Sequence, residues 1–591
     1  MIYIKLGIQI YMTEKVLDVD KKKILLIWPH DGYDGATLPL CYIYLIPMLR
    51  KHYDVKLLDC ALHEIHPESK KFTQEIIDFN PDVVGISAWT IHKKMATMTL
   101  KKVKEINKNI ITIAGGPHFT GSADYSLIND QGIIDYVLKG EAEFTLKQFL
   151  DTVLKSNFSD NDLKKIDGLC FIKSDGSVHE TPMTFPPNLD EFGQPDYTVI
   201  DIHAYLKKGY FYRIHKKMHA PILSTRGCPY TCDYCAAPYL NGRGIRKHSL
   251  EYMKKLIENL YENFGIRHFN IIDDNFTFDV FYAKAFCKMI IDNKHKFKGI
   301  SFGTPNGIRI DRTDQQLFYL MKAAGWERLM VAPESGSPKV LEAMLKHLDL
   351  NVVPEKIKQI QKAGLEVEAF FIIGHPGEDK NTIEETKQFI KDVRFDMASF
   401  YAFQPLPGTP IYDTLVRQGS ITKADEMTSY SVVNWVPENW TKEEIHDIIY
   451  DLKKMMIDMY PWRFERIFAK HTLMGKFVEK ITDQHRRHKL VMRVYKIRKK
   501  ITDWLFLIKH KTELEKQINS VILDEHNLEE KRRRENRLKE YEISIMEKSD
   551  KLKENARLQE NITQLPNPSI NMDMSLNDCD KISTHKNMDG I

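Results

Sequence analysis

Between residues 23 and 150 the hydrophobic positions come in short runs, and polar stretches with a helical period separate them. "KILLIWP" (23–29) is an unbroken apolar run, which suits a strand buried on both faces of a parallel sheet. "LCYIYLIPMLRKH" (40–52) reads as a helix, "YDVKLLD" (53–59) as a strand and "SKKFTQEIIDFN" as a second helix. "DVVGISA" (82–88), a helix through "MATMTLKKVKEIN", and "IITIAGG" (110–116) repeat the alternation. "DYVLKGE" (135–141) then precedes a helix that starts near Glu143. Alternation at this pitch predicts βαβ units on a parallel sheet, with any ligand beyond the carboxyl ends of its strands. Those ends carry Trp28–Gly35, Ser87–Thr90 and Gly115–His118.

Residues 151–215 read as a connector. "GLCFIKSDGSVHET" predicts a hairpin turning at Asp175-Gly176, and a Pro-rich crossing follows it. Within 216–410 a strand–loop–helix unit recurs six times, with strands "PILSTRG", "HFNIIDD", "SFGTPNG", "RLMVAPES", "EVEAFFIIG" and "MASFYAFQP". Helix punctuation supports the division. Thr313 with Gln316 and Asn381 with Glu384 fit capping signals, and Gly325 is placed to end a helix. Ser337 precedes Pro338, and Pro354 opens a further helix. Six such units predict an open (βα)6 barrel of the TIM type, with its site at the carboxyl ends of the strands. The whole is thus an α/β protein with a flavodoxin-like first domain (23–150), the barrel, and a mainly helical remainder. In that remainder 411–520 is helical and basic, and 521–591 is a charged helix followed by a polar, disordered-type tail. Residues 1–22 read as an N-terminal extension without the features of a secretory signal.

Composition narrows the class. At 591 residues the chain exceeds one hydrophobic core, and 43% hydrophobic with 28% charged residues describes a globular protein. No window approaches the roughly 18 apolar residues that span a bilayer. The net charge of +4 says little, but its distribution says more: residues 461–511 hold 15 Lys/Arg against 4 Asp/Glu, interleaved with aromatic and aliphatic residues. That stretch suits an interfacial helix on an anionic membrane, electrostatic contact with RNA, or a solvated helical lid. Nucleic acid is not the expected partner. The expected compartment is the cytoplasm, with peripheral membrane contact through 461–511.

Cysteine carries the clearest chemistry. Of eight cysteines, five are scattered without a disulfide framework, which fits a reducing compartment. The other three, Cys228, Cys232 and Cys235, form C-x3-C-x2-C in "GCPYTCDYC", on the loop after the first barrel strand. Three thiolates are one short of a closed zinc site or a fully protein-ligated cubane. Either a fourth zinc ligand comes from elsewhere in the chain, or an iron–sulfur cluster keeps one iron open to an exogenous ligand. No histidine lies inside the loop, and His248 is the next one along the chain.

C-x3-C-x-aromatic-C on the first loop of a six-unit barrel resembles the radical S-adenosylmethionine (SAM) enzymes, over about 200 residues. The resemblance implies a [4Fe–4S] cluster on Cys228, Cys232 and Cys235, with SAM chelating the fourth iron. There it would be cleaved reductively to a 5′-deoxyadenosyl radical, with electrons from a donor such as flavodoxin or ferredoxin. It also implies SAM contacts from Tyr234, from Asp273, Asp274 and Asn275 after the second strand, and from Arg309 beyond the third. Glu334 and Ser335 after the fourth strand and Gly374 in "FIIGHPGE" complete that set. Ordinary loop polarity, helix capping or turn formation would account for the same residues without SAM.

The first domain resembles the cobalamin-binding domain that precedes the barrel in one branch of this superfamily. Ser87 and Thr90 in "GISAWT", and Gly115, Gly116 and His118 in "AGGPH", then become the cobalamin-contacting positions, and "LKGEAEFTL" matches the end of such domains. One departure stands out. The D-x-H-x-x-G motif that supplies an axial histidine is missing: the first loop reads "WPHDGYDGATLP", with His30 and Asp31 in the opposite order. No histidine from that motif is therefore expected on cobalt, and a domain that kept its sheet but lost its ligand remains an alternative. With both cofactors the resemblance implies a class B radical SAM methyltransferase acting on a small or lipid-like metabolite. Two alternatives are a cobalamin-free radical SAM enzyme catalysing cyclisation or rearrangement, and a non-catalytic zinc- or nucleic-acid-binding protein.

Overall fold

The computed structural model describes residues 21–30, 38–210, 218–423, 427, 429 and 432–459, all within one compact unit. The N-terminal extension, most of the "WPHDGYDGATLP" loop, the basic stretch 461–511 and the tail 521–591 lie outside the described residues.

Strands β1 (Lys23–Trp28), β2 (Asp54–Asp59), β3 (Val83–Ser87), β4 (Ile111–Gly115) and β5 (Tyr136–Leu138) run parallel in the order β2-β1-β3-β4-β5. This is the doubly wound order, with its switch point between β1 and β3. Ile24 and Leu26 pack into the core on one face of the sheet, and Leu25 and Ile27 into that on the other. An apolar run without polar alternation is what two covered faces require. The hairpin predicted in the connector exists as β6 (Leu169–Ile172) and β7 (Val178–Glu180), but it does not stand apart. It pairs antiparallel with β5 and extends the first sheet to seven strands, because Leu169, Cys170 and Phe171 are too apolar to leave the sheet's cores.

The barrel strands are β8 (His219–Ile222), β11 (His268–Ile271), β12 (Ser301–Gly303), β13 (Arg328–Glu334), β14 (Glu366–Ile373) and β15 (Met397–Ala402). They form two parallel three-stranded halves, β12-β11-β8 and β13-β14-β15. Isolated parallel bridges, Phe302 to Trp326 and Ile308 to Val331, join the halves. The first predicted strand is broken after Ile222. Its continuation, β9 (Thr225–Arg226), leaves the barrel and pairs antiparallel with β10 (Arg246–Lys247).

Helix starts differ from the predicted caps at three places. Asp314, not Thr313, caps the helix Gln315–Ala324, because the Asp314 carboxylate accepts from the Leu317 N–H while Thr313 bonds back to Ile310. Asp379 with Thr382, not Asn381 with Glu384, makes the capping box of Lys380–Val393. Ser337 occupies the N-cap position before Pro338, yet its hydroxyl makes no cap bond. Gly325 ends its helix as expected, at φ 118°. The amphipathic segment after Trp440 is the helix Lys442–Met459, started by reciprocal Thr441–Glu444 bonds. It packs Ile445, Leu452 and Met456 into the barrel core.

Candidate active site

The cysteine loop is held from three sides. Gly227 (φ 93°) lies so close to the neighbouring chain that a Cβ there would stand 2.3 Å from the Gly244 carbonyl. The Cys228 N–H donates to Gly242 O (3.1 Å), and the Asp233 N–H donates to Met344 O (3.1 Å). All three cysteines are free thiols, Cys232 buried and the others half-buried. Burial pushes the Cys228 thiol up to about 11, with Asp274 and Cys232 adding to it. The Cys235 thiol is raised by burial and then by the charges of Cys232 and Cys228. Cys228 and Cys235, both raised by burial, share a tight loop with Cys232, and a thiolate form there needs a bound cationic centre, so the loop fits an iron–sulfur cluster.

Among the described residues no three His, Cys, Asp or Glu side chains gather to hold a single metal ion. A cubane places its three sulfurs on three different irons and needs no such convergence. His248 serves elsewhere: its Nδ1 lies 2.9 Å from Asp190, and its ring stacks on Tyr252 at 3.8 Å.

The residues expected around SAM divide into two groups. Asp274, Tyr234 and Glu334 lie beside the loop, and Asn275 follows Asp274 along the chain. Asp274 accepts from the Gly227 N–H (3.0 Å) and from the Asn241 amide (2.9 Å), and burial raises its carboxyl. Asn275 is buried with its Oδ1 lacking any partner, a ready acceptor for an amine. The Tyr234 hydroxyl donates to Glu334 (3.0 Å). The register shift between Val331 and Glu334 leaves Glu334 at φ 69°, a left-handed conformation that is costly for a residue with a Cβ.

The second group is committed to structure. Asp273 accepts from the Ser224 N–H (2.7 Å) and both nearby hydroxyls, stitching β11 to the end of β8, and burial pushes its carboxyl up to about 6. Arg309 spends its guanidinium on Asp311 and on the Lys346 and His347 carbonyls, with its face 3.7 Å from the centre of the Tyr230 ring. The Ser335 hydroxyl accepts from the Ser337 N–H and meets Thr386. Gly374 (φ 88°) donates its N–H to Glu378 and abuts Ile445 of the C-terminal helix.

Lys346 was not legible in the sequence. Its ammonium lies 3.1 Å from Glu334 and 3.2 Å from the Tyr234 hydroxyl. Burial would lower its pKa, but the charges of Glu334 and then Cys232 more than offset that and raise it. Its neighbours Leu345 (φ 51°) and His347 (φ 48°) are both left-handed. The Met344 and Arg309 contacts pin this strained turn against the cysteine loop, the kind of over-determined geometry found at functional sites.

Glu378 is a second missed group. Burial pushes its carboxyl up to about 8, and its Oε1 has no partner. The folded chain therefore keeps a proton that the unfolded chain releases, so stability from this group is present at low pH and fades as pH rises toward 8. The expected slope is about 1.4 kcal/mol per pH unit between the two pKa values. Thermal unfolding followed from acidic to mildly alkaline pH is expected to show this decline, and Glu378→Gln is expected to flatten it.

A cavity of about 350 Å³ opens at the carboxyl ends of the first sheet and reaches the barrel mouth. Ser87, Gly115 and Gly116 line it on one side, Asn241 and Asp274 on the other, and its floor of Leu26, Gly85 and Ile113 is apolar. Gly85 is essential to that depth, since a Cβ there would lie 2.8 Å from Leu26. A long, mostly apolar cleft whose rim glycines admit close backbone approach fits cobalamin. Two of the expected cobalamin residues fall outside the lining. Thr90 opens a short 3-10 turn, and His118 is buried with its Nε2 3.3 Å from Ser122 and its pKa lowered to about 4 by burial. Trp28 and Trp89, at the predicted strand ends but not among the named cobalamin contacts, do line it.

An α/β barrel with a three-cysteine loop at its mouth, fed by a cleft in a doubly wound domain, defines a two-cofactor class of protein. Residues 222–390 match the model of the radical SAM superfamily, and residues 30–150 match that of the B12 binding domain. The chain thus carries a radical SAM domain preceded by a B12-binding domain, and the cofactors these domains imply are a [4Fe–4S] cluster, SAM and cobalamin. It is 28% identical over 449 residues to an uncharacterized methyltransferase of Pyrococcus horikoshii, covering 74% of this chain and 92% of the relative. It is 27% identical over 484 residues to cytidylyl-2-hydroxyethylphosphonate methyltransferase of Streptomyces wedmorensis, covering 72% and 88%. The cobalamin-dependent SAM radical enzyme OxsB, solved with aqua-cobalamin and SAM bound, superposes with a TM-score of 0.61 at 16% identity, over 82% of this chain and 72% of that one. Among the described residues no helix is long and apolar enough to cross a membrane.

Proposed function

We propose that this protein is a cobalamin-dependent radical SAM methyltransferase acting on a small or lipid-like metabolite. The observation that carries the reading is the shared cavity, in which the corrinoid-type strand ends Ser87, Gly115 and Gly116 face Asn241 and Asp274 beside the cysteine loop. Cys228, Cys232 and Cys235 would hold the cluster. Asn275 would accept from the SAM amine, while Lys346 and Glu334 would keep a compensated charge pair next to Cys232. When bound, the cluster with SAM supplies one-electron cleavage, and cobalamin supplies a methyl carrier. The chain's own residues provide a mostly apolar enclosure that keeps water from the reacting groups. Asp274, tied to Gly227 and Asn241, would fix the loop's position at the cavity wall. The protein names of the relatives support methyl transfer rather than a binding role.

The test is turnover of the reconstituted, cobalamin-loaded protein with methyl-labelled SAM and a low-potential reductant. Labelled methylcobalamin accumulating with stoichiometric S-adenosylhomocysteine supports the reading. Production of 5′-deoxyadenosine without S-adenosylhomocysteine would refute it in favour of cobalamin-independent chemistry.

A further inference from the structure

We propose that Glu141, Glu143, Arg226 and Arg246 form an interdomain clasp that holds the corrinoid cavity and the cysteine loop in register. This deepens the reading above and rests on it. Glu141 and Glu143 sit in the loop after β5 and line the cavity. Arg226 ends β9, two residues before Cys228, and its register partner across the β9–β10 pair is Arg246. Arg246 grips Glu141 with two nitrogens (2.7 and 2.6 Å), and Arg226 meets Glu143 at 2.7 Å and Glu141 at 3.5 Å. No side chain of the four is more than 9% exposed. The Arg226 guanidinium also lies over Phe192 (4.7 Å) and Tyr44 (5.3 Å), and that of Arg246 over Phe185 (5.2 Å).

Two positive and two negative charges thus cancel in a buried, bidentate cluster between the domains. Such a cluster adds little net stability over an apolar one, and its best-attested use is to specify register. The bonds run on into the cofactor sites. Arg246 donates to Asn241 O (2.7 Å), the Asn241 amide donates to Asp274, and the adjacent Gly242 carbonyl receives the Cys228 N–H.

An independent contact fixes the domains at a second point. Gly121 of the first domain lies against Pro407 and Gly408 after β15, where a Cβ on Gly121 would stand 2.2 Å from the Pro407 carbonyl. Beside it Lys423 pairs with Asp124 (3.1 Å). Ordinary interdomain interfaces permit relative motion; two separated, close-fitting contacts oppose rotation about either one. Arg246 lies outside the cavity lining and acts through Glu141 and Asn241, so it is a positioning residue.

The experiment uses the full chain carrying Arg246→Gln, which lies outside the cavity lining and leaves Glu141 without its bidentate partner, and the charge-swapped pair E141R/R246E. The probes are hydroxocobalamin, bound in an absorbance titration, and SAM with a reductant. The readouts are hydroxocobalamin affinity, iron content, broadening of the cob(II)alamin EPR signal by the reduced cluster, and the ratio of S-adenosylhomocysteine to 5′-deoxyadenosine. The expected result is unchanged affinity and iron, a narrowed EPR signal, a product ratio lower by at least about tenfold, and partial recovery of both in the swapped pair. Loss of affinity, iron and both products together, or an unchanged ratio and EPR line, would overturn the clasp. If Arg246→Gln does not fold, Arg246→Lys carries the same expectations, because it keeps the charge and removes the two-nitrogen grip on Glu141. Failure of the wild-type chain to bind hydroxocobalamin would overturn the underlying reading, a result separate from any effect of the variants.

Discussion

Alanine at any one of Cys228, Cys232 or Cys235 is expected to abolish cluster assembly and SAM cleavage completely, while leaving the fold in place. Three sulfurs are the minimum that can hold a cubane with one iron open. The loop around them is fixed by backbone bonds, Cys228 N–H to Gly242 O and Asp233 N–H to Met344 O, which alanine keeps. Burial raises the Cys228 and Cys235 thiols, so alanine at either position leaves no unpaired buried charge. Anaerobic reconstitution with iron and sulfide followed by iron analysis, visible absorbance and 5′-deoxyadenosine assay checks this. A variant that retained the full iron content and cleaved SAM would show that the replaced cysteine is not a ligand.

Gly116→Val is expected to abolish corrinoid binding and to cost the folded protein about 2–5 kcal/mol, the sum of left-handed strain and overpacking. Gly116 sits at φ 86° on the cavity rim, and a Cβ there would stand 2.5 Å from Ser87 Oγ and 2.9 Å from the Ala88 nitrogen. Backbone cannot yield as a flexible side chain can, so the displaced atoms would move into the cleft. Thermal unfolding measures the stability loss and hydroxocobalamin titration the binding loss. Unchanged affinity in a folded variant would place the corrinoid elsewhere. Gly132→Ala, where a Cβ would meet nothing within 4 Å, is the control for left-handed strain alone.

The alternation of apolar runs and helical stretches was enough to place all six barrel strands and the five parallel strands of the first sheet. Each run had to be buried on both faces and had room for one element. The cysteine spacing located the cluster loop for a similar reason: three thiols within eight residues form a local feature. The helix caps were misplaced because Thr313 and Asp314, or Asn381 and Asp379, are equivalent as letters. Only backbone geometry decides which side chain reaches the free N–H groups. The hairpin's attachment to the first sheet was hidden too, since an apolar hairpin does not say which edge it joins.

The site shows the same division. Asp274, Asn275 and Glu334 follow strands and could be found by position, but Arg309 and Ser335, equally well placed along the chain, turn their polar groups into structural bonds. Lys346, twelve residues beyond Glu334 and past the end of the helix Pro338–Ala343, reaches the site because a pinned left-handed turn aims it back. Arg226 and Arg246 find Glu141, 85 and 105 positions away along the chain, only when two domains dock. The sequence by itself determined which segments are strands, which loop gathers three thiols and which domains are present, because burial periodicity and thiol spacing are short-range properties of a chain. The tertiary structure alone decided which polar residues face the cavity and which are consumed in holding it, because pairing of buried charges depends on distances between segments that no local pattern encodes.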